Sequence, residues 1–189
     1  MVAVVRLMKK MASMARVFHT WLYRLGNEWV DRTGGWMSHG WSGNAAIWVG
    51  SGPGKTVVDG VMKTTSMDEI GKTGQSGVLR TANKVDMTGV KSIRVKMGFS
   101  LSACSDIDSG YQRIYLFTAS GLSGDWTSTA SAISQKVSHD SSSSYTVGEV
   151  EYSLGVTSLT GEHYICIGLV WRYQKAVSEV RVFEVELVR

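Results

Sequence analysis

A chain of 189 residues with 43% hydrophobic content has the size of one domain, enough to bury a core without staples and too apolar for wholesale disorder. The formal charge of +4 sits in the first sixteen residues, where Arg6, Lys9, Lys10 and Arg16 stand without an acid, and the rest of the chain balances to about zero. This argues against nucleic-acid binding, which needs lysine and arginine clustered on a folded face. Two cysteines, Cys104 in a polar loop and Cys166 in an apolar run, are too few for a disulfide framework or a zinc site, and Cys166 reads as a buried free thiol. No run reaches the roughly 18 apolar residues of a membrane span. Lys9 and Lys10 interrupt what would be the hydrophobic region of a signal peptide, so a protein made and folded in the cytoplasm of its producer is expected.

Residues 1–16 form a basic segment in which Val4, Leu7, Met8, Met11 and Met14 recur at helical spacing. It is either a short amphipathic helix packed on a partner or on the domain, or an extension upstream of a start at Met11 or Met14. From residue 17 the period changes to two, and residues 17–189 are expected to form one β-sandwich domain. Phe18, Thr20 and Leu22 alternate with His19, Trp21 and Tyr23, as in a strand partly covered on both faces. A turn-rich stretch from Gly26 to Gly54 follows, and then short strands over 57–64 and 77–81. The segment Val90–Leu101 is the cleanest strand, with Ile93, Val95, Met97 and Phe99 facing one way and Arg94 and Lys96 the other. Further strands are predicted at 111–118, 149–154 and 163–171, the last apolar on both faces and therefore central. A final strand at 177–188 is expected to bulge near Val182 and Phe183. The run Ser138–Thr146 reads as a solvated loop. Twenty-one glycines, one proline and eight or nine strands separated by Gly/Ser turns indicate an all-β sandwich with jelly-roll topology.

Several motifs invite chemistry. The run Gly50–Thr56, GSGPGKT, imitates a phosphate loop but has Val49 where the first glycine belongs, so a turn between strands is preferred. His19, His39, His139 and His163 are scattered, and the His139-Asp140 pair reads as solvated rather than as a base with its orienting partner. No catalytic set is legible and no enzyme is expected. Asp106 and Asp108 could give oxygen ligands to a structural calcium, but the spacing lacks the rest of a calcium loop and no other cofactor is indicated. The tryptophans point further. Trp29, Trp36, Trp41 and Trp48 crowd a loop-rich stretch with Asn27, Arg32 and Asn44, where exposed rings could stack on sugars or fill partner pockets and the polar groups supply hydrogen bonds. The plainer alternative is that these rings plug the ends of the sandwich.

The stretch Leu22–Trp36, LYRLGNEWVDRTGGW, resembles the opening of small structural proteins from phages and prophages of Gram-positive bacteria. Asn83–Met97 resembles the element that introduces their central strand, and Gly161–Leu169 and Ser178–Val188 resemble their closing strand pair. The resemblance implies a jelly-roll domain on a virion, near the tail tip or fibre, sometimes acting on cell-surface carbohydrate. The expectation is therefore a non-enzymatic virion accessory protein that binds host-surface glycan or assembles with other virion proteins in a symmetric oligomer, without membrane or nucleic acid. A free bacterial carbohydrate-binding or adhesin-like module is the alternative, and a small hydrolase on the same scaffold stands third.

Overall fold

A computed structural model describes residues 18–25, 36–40, 56–57, 61–63, 75–121, 133–176 and 178–189. Residues 1–16, with their expected helix, lie outside the described residues. Among the described residues twelve strands follow in chain order: β1 His19–Arg24, β2 Trp36–Gly40, β3 Thr56–Val57, β4 Val61–Lys63, β5 Gln75–Thr81 and β6 Val85–Asp86. The second half holds β7 Ser92–Leu101, β8 Tyr111–Ala119, β9 Ile133–His139, β10 Tyr145–Gly155, β11 Glu162–Arg172 and β12 Glu179–Val188. They form two antiparallel sheets. Sheet I has the order β1-β12-β7-β10, with β4 beside β12; sheet II has the order β3-β2-β5-β11-β8-β9, with β6 beside β11. Without the short strands β2, β3, β4 and β6, the remaining strands run first-eighth-third-sixth in one sheet and second-seventh-fourth-fifth in the other. That order is a jelly roll, as the sequence pattern predicted.

Alternation explains the packing. In β7 the side chains of Ile93, Val95, Met97, Phe99 and Leu101 are buried, whereas Arg94, Lys96 and Ser100 point outward. They meet Ile114 and Leu116 of β8 and Ile165, Ile167 and Leu169 of β11 in one core between the sheets. Strand β11 is central, pairing with β5 on one side and β8 on the other. In β12 the inward set is Val180, Val182, Val185 and Leu187, and its register against β7 shifts between Val182 and Glu184. The expected bulge is there, at Phe183.

One end of the sandwich is closed by buried polar groups. The Gln112 side-chain amide donates to the Ser102 carbonyl, and the Ser178 hydroxyl donates to Gln112 Oε1. The Ser102 backbone N–H donates to Ser178 Oγ at 2.9 Å, and Ser102 Oγ accepts from the Ala176 N–H at 2.8 Å. These bonds lock the β7–β8 loop to the β11–β12 loop. A buried polar group is tolerated when satisfied in this way.

Several expectations are corrected. The predicted strand over 57–64 is two short strands in different sheets, β3 beside β2 and β4 beside β12. The Ser138–Thr146 run is not one loop. Ser138 and His139 end β9, Tyr145 and Thr146 begin β10, and residues 140–144 alone connect them. In β1 the two-residue alternation fails at Leu22 and Tyr23, which are both buried, because the register shifts between Trp21 and Tyr23. Cys166 is buried and free as expected, and Cys104, placed by its polar neighbours in a loop, is buried and free as well.

Burial pushes the Cys166 thiol well above its ordinary range and raises Cys104 too. The proton stays on in the folded state, so this contribution to stability is fully present below the ordinary thiol range and is lost as pH climbs toward the raised values. Both thiols should therefore resist a disulfide reagent at about pH 8 and react at the rate of unfolding. Rapid labelling of folded protein would contradict the burial.

Candidate functional site

Of the side chains singled out from sequence, Trp29, Trp41, Trp48, Asn27, Asn44 and Arg32 lie outside the described residues. Trp36 is described, and it is not a surface platform. It sits on β2 at 1% exposure, with its ring edge-on to Tyr23 at 5.4 Å between centroids. The physical reason is register: Trp36 pairs with Thr81 of β5, whose side chain faces the core, so Trp36 enters the core as well. Its indole N–H has no partner among the described residues.

The other motifs resolve into local structure. His139 is buried rather than solvated: its Nε2 bonds the Ser143 carbonyl at 2.8 Å and its ring stacks on Tyr145. His163 bonds the Thr160 carbonyl at 3.2 Å. Asp106 Oδ1 accepts the N–H groups of Asp108 and Ser109 at 3.0 and 3.3 Å, which commits that oxygen to its own turn. Among the described residues no three His, Cys, Asp or Glu side chains gather to hold a metal. The end of the phosphate-loop imitation, Thr56, starts the edge strand β3.

The outer face of sheet I carries outward side chains in ordered rows. One row runs Trp21, Glu186, Arg94, Ser153 across β1, β12, β7 and β10, and the next runs Arg24, Glu184, Lys96, Glu151. His19 Nδ1 meets Glu186 Oε1 at 2.8 Å, Arg24 Nε donates to Glu184 Oε1 at 3.0 Å, and Arg94 lies 3.6 Å from Glu186 and 3.8 Å from Glu151. Lys96 pairs with Glu149, and that hydrogen bond raises the ammonium above its ordinary range. These pairs are mostly exposed and add little to stability, although Glu186 itself is buried. What they do is balance the charge of the face. Trp21 stands among them at 37% exposure with the Arg24 guanidinium 5.0 Å from its ring centroid.

At the other end of this face the sheet opens into a groove of about 220 Å³. Two irregularities make it. The Phe183 bulge in β12 turns that ring outward, and a register shift in β10 between Val147 and Val150 brings Gly148 across from Gly98. Gly98 cannot be anything larger: a Cβ there would strike the Gly148 carbonyl and meet the Phe183 ring at 3.1 Å. A Cβ on Gly148, by contrast, meets nothing within 4 Å. The rim carries Ser100 Oγ and Thr146 Oγ1, 3.1 Å apart, and Arg181 donating to Glu179 at 3.3 Å. The arrangement combines an aromatic wall, a backbone floor, two hydroxyls and one carboxylate–guanidinium pair.

Sequence reasoning located the bulge at Phe183 but did not make it a site residue. It placed Trp21 in a strand partly covered on both faces and gave it no role. The legible signals were the break in alternation at Val182-Phe183-Glu184 and two glycines, Gly98 and Gly148, inside strand patterns.

No family model and no curated protein matches the chain. Solved structures similar to it include TmCBM27, a carbohydrate-binding module described for specific mannan recognition, at 12% identity and a TM-score of 0.46 over 93% of this chain and 99% of that one. The xylan-binding module CBM15 aligns at 12% identity and a TM-score of 0.40, over 92% and 95% of the two chains. A family 29 carbohydrate-binding module aligns at 12% identity and 0.39, over 92% and 90%.

Gly98→Ala should destabilise the domain by about 1–3 kcal/mol, the usual cost of forcing an atom into a packed position. Gly148→Ala should change stability far less. Urea unfolding of the two variants checks this; equal midpoints would remove the close approach that shapes the groove.

Proposed function

We propose that this domain is a non-catalytic carbohydrate-binding module whose ligand lies on the outer face of sheet I. The observation that carries the reading is the groove: Phe183 stands beside an open backbone floor, with paired hydroxyls and a carboxylate–guanidinium pair at the rim. A pyranose ring has an apolar C–H face and an equatorial belt of donors and acceptors. Phe183 suits the first, and Ser100, Thr146, Glu179 and Arg181 suit the second. Trp21 supplies another ring on the same face. It pairs with Glu186, three residues along β12 from Phe183, which is about 10 Å at the rise of a strand and of the order of a disaccharide. The ion-paired glutamates fit hydrogen-bond acceptors better than a proton donor, which favours binding over hydrolysis.

A free module and a virion-borne one would use this face in the same way. Attachment to a phage tail or fibre, and to other virion proteins, is supported by the sequence resemblance over 22–36 and 83–97. The free module is the simpler reading, because the groove lies on one face of one sandwich. Light scattering on the purified protein should then report a monomer, whereas a stable trimer would favour the fibre.

On an array of neutral plant, fungal and bacterial glycans, the wild type should bind a defined subset. Phe183→Ala and Trp21→Ala should each weaken that binding about tenfold or more. Gly148→Leu should abolish it by filling the groove while leaving the unfolding midpoint nearly unchanged. Binding that survives all three changes would remove the ligand from this face.

A further inference from the structure

The floor of the sheet I groove carries a backbone carbonyl where a side chain would normally stand. Gly98 belongs to the outward set of β7, between Lys96 and Ser100, so a Cβ on it would point to the outer face. The Gly148 carbonyl oxygen closes on the position of that Cβ, and Phe183 Cε2 is 3.1 Å from the same point. Gly98 is buried beneath them, whereas Gly148 is exposed. The register of β10 against β7 steps from Val147 to Val150, which leaves Gly148 and Glu149 outside the pairing. A bulge of this kind takes its extra residue out of the ladder. An open acceptor and an aromatic edge thus meet above one glycine, in a groove of about 220 Å³. That is smaller than the roughly 300–1,000 Å³ of a site for a drug-sized ligand, so it suits a single sugar or one of its substituents.

Donors stand on the opposite side. Arg181 of β12 pairs directly with Gly98, so the glycine has the Gly148 carbonyl toward β10 and the Arg181 guanidinium toward β12. Arg181 donates to Glu179 at 3.3 Å, and a guanidinium has several N–H donors, so one such bond leaves it able to serve a second acceptor. Lys96, next along β7, pairs with Glu149. An ammonium group in the groove would meet Arg181 and find Glu179 and Glu149 already paired. A carboxylate would face the Gly148 carbonyl and Glu179. An uncharged group with a donor, an acceptor and an apolar end meets neither conflict.

Resting on the carbohydrate-binding reading of this face, we infer that the groove selects an N-acetylhexosamine residue through its acetamido group. That group is planar and uncharged. Its N–H is a donor for the Gly148 carbonyl, its methyl is apolar surface for Phe183, and its carbonyl is an acceptor for Arg181. A hydroxyl in its place would satisfy the Gly148 carbonyl, but it would leave Phe183 without the methyl and Arg181 without an amide acceptor. A site built to hydrogen-bond one group discriminates against the analogue lacking it, because its own polar groups are then left unpaired.

The test uses oligosaccharides that share one backbone: a chito-oligosaccharide, its deacetylated form and a cello-oligosaccharide of equal length. In calorimetric titration the first should bind about tenfold tighter, or more, than either of the others. Saturation-transfer NMR should show the acetyl methyl protons as the part of the ligand most strongly contacted. Arg181→Met should bring the chito-oligosaccharide down to near the affinity of the cello-oligosaccharide. Because the Arg181 side chain is exposed, the unfolding midpoint of this variant should match the wild type. A cello-oligosaccharide or deacetylated oligomer bound as tightly as the acetylated one would overturn the acetamido assignment and leave glycan binding on this face standing. So would ring protons saturated above the methyl, or an acetyl preference unchanged in Arg181→Met. Absence of chito-oligosaccharide binding would overturn it as well, and the neutral-glycan array then decides separately whether the face binds sugar at all.

Discussion

The constraint on which sheet I depends is that β12 must keep its apolar side chains in the core on both sides of its bulge. Val180 and Val182 face inward in one phase, and Val185 and Leu187 face inward in the opposite phase. In an unbroken strand a one-residue offset would send one of these pairs to solvent. The extra residue at Phe183 absorbs the offset, so four buried aliphatic groups are retained at the expense of one partly exposed ring. Each such side chain is worth about 1.5–3 kcal/mol when fully buried, so the core dictates where Phe183 goes. The aromatic wall of the groove is thus a product of core packing, which fixes its position as firmly as the core itself.

The closed polar end has a comparable role for sheet II. Gln112 lies in β8 beside Arg113, and Ser178 lies just before β12. Their bonds to each other and to Ser102 tie the loop that contains Ser105 to the loop that contains Tyr173. Ser105 then holds the carbonyl of Tyr173, whose φ of 55° is left-handed. Buried polar networks are costly when half satisfied and rigid when complete. Here the rigidity holds a left-handed tyrosine at the corner of the sheet.

The parts legible in the sequence were those where local pattern and tertiary role agree. Alternation of Ile93 to Phe99 against Arg94 and Lys96 marks a strand with one buried face, and the run 163–171, apolar throughout, marks one covered on both. The break at Phe183 was readable because the inward valines change phase around it. The misreadings have a different physics. Trp36 lies in a stretch dense with glycine and tryptophan, and only its pairing with Thr81, 45 positions along the chain, sends it inward. Residues 57–64 look continuous, but β3 and β4 join different sheets, a choice made by partners and not by propensity. Strand β9, ISQKVSH, is polar because it is an edge strand, and the serines after it masked where it ends. The groove needs Gly98 and Gly148 opposite one another, a relation between two strands that no local window contains.

The two outer faces differ in how their charges are matched. On sheet I the glutamates of β10 and β12 are matched by His19, Arg24, Arg94, Lys96 and Arg181. A charged ligand there would have to break an existing pair or meet a charge of its own sign, and the exchange would gain little. A neutral ligand can use the same groups as fixed donors and acceptors without disturbing the balance. On sheet II the strands β5, β8 and β9 carry no carboxylate of their own, and Arg80 and Lys136 are held by backbone carbonyls instead. The selectivity of the sheet I face therefore follows from its cations being already paired.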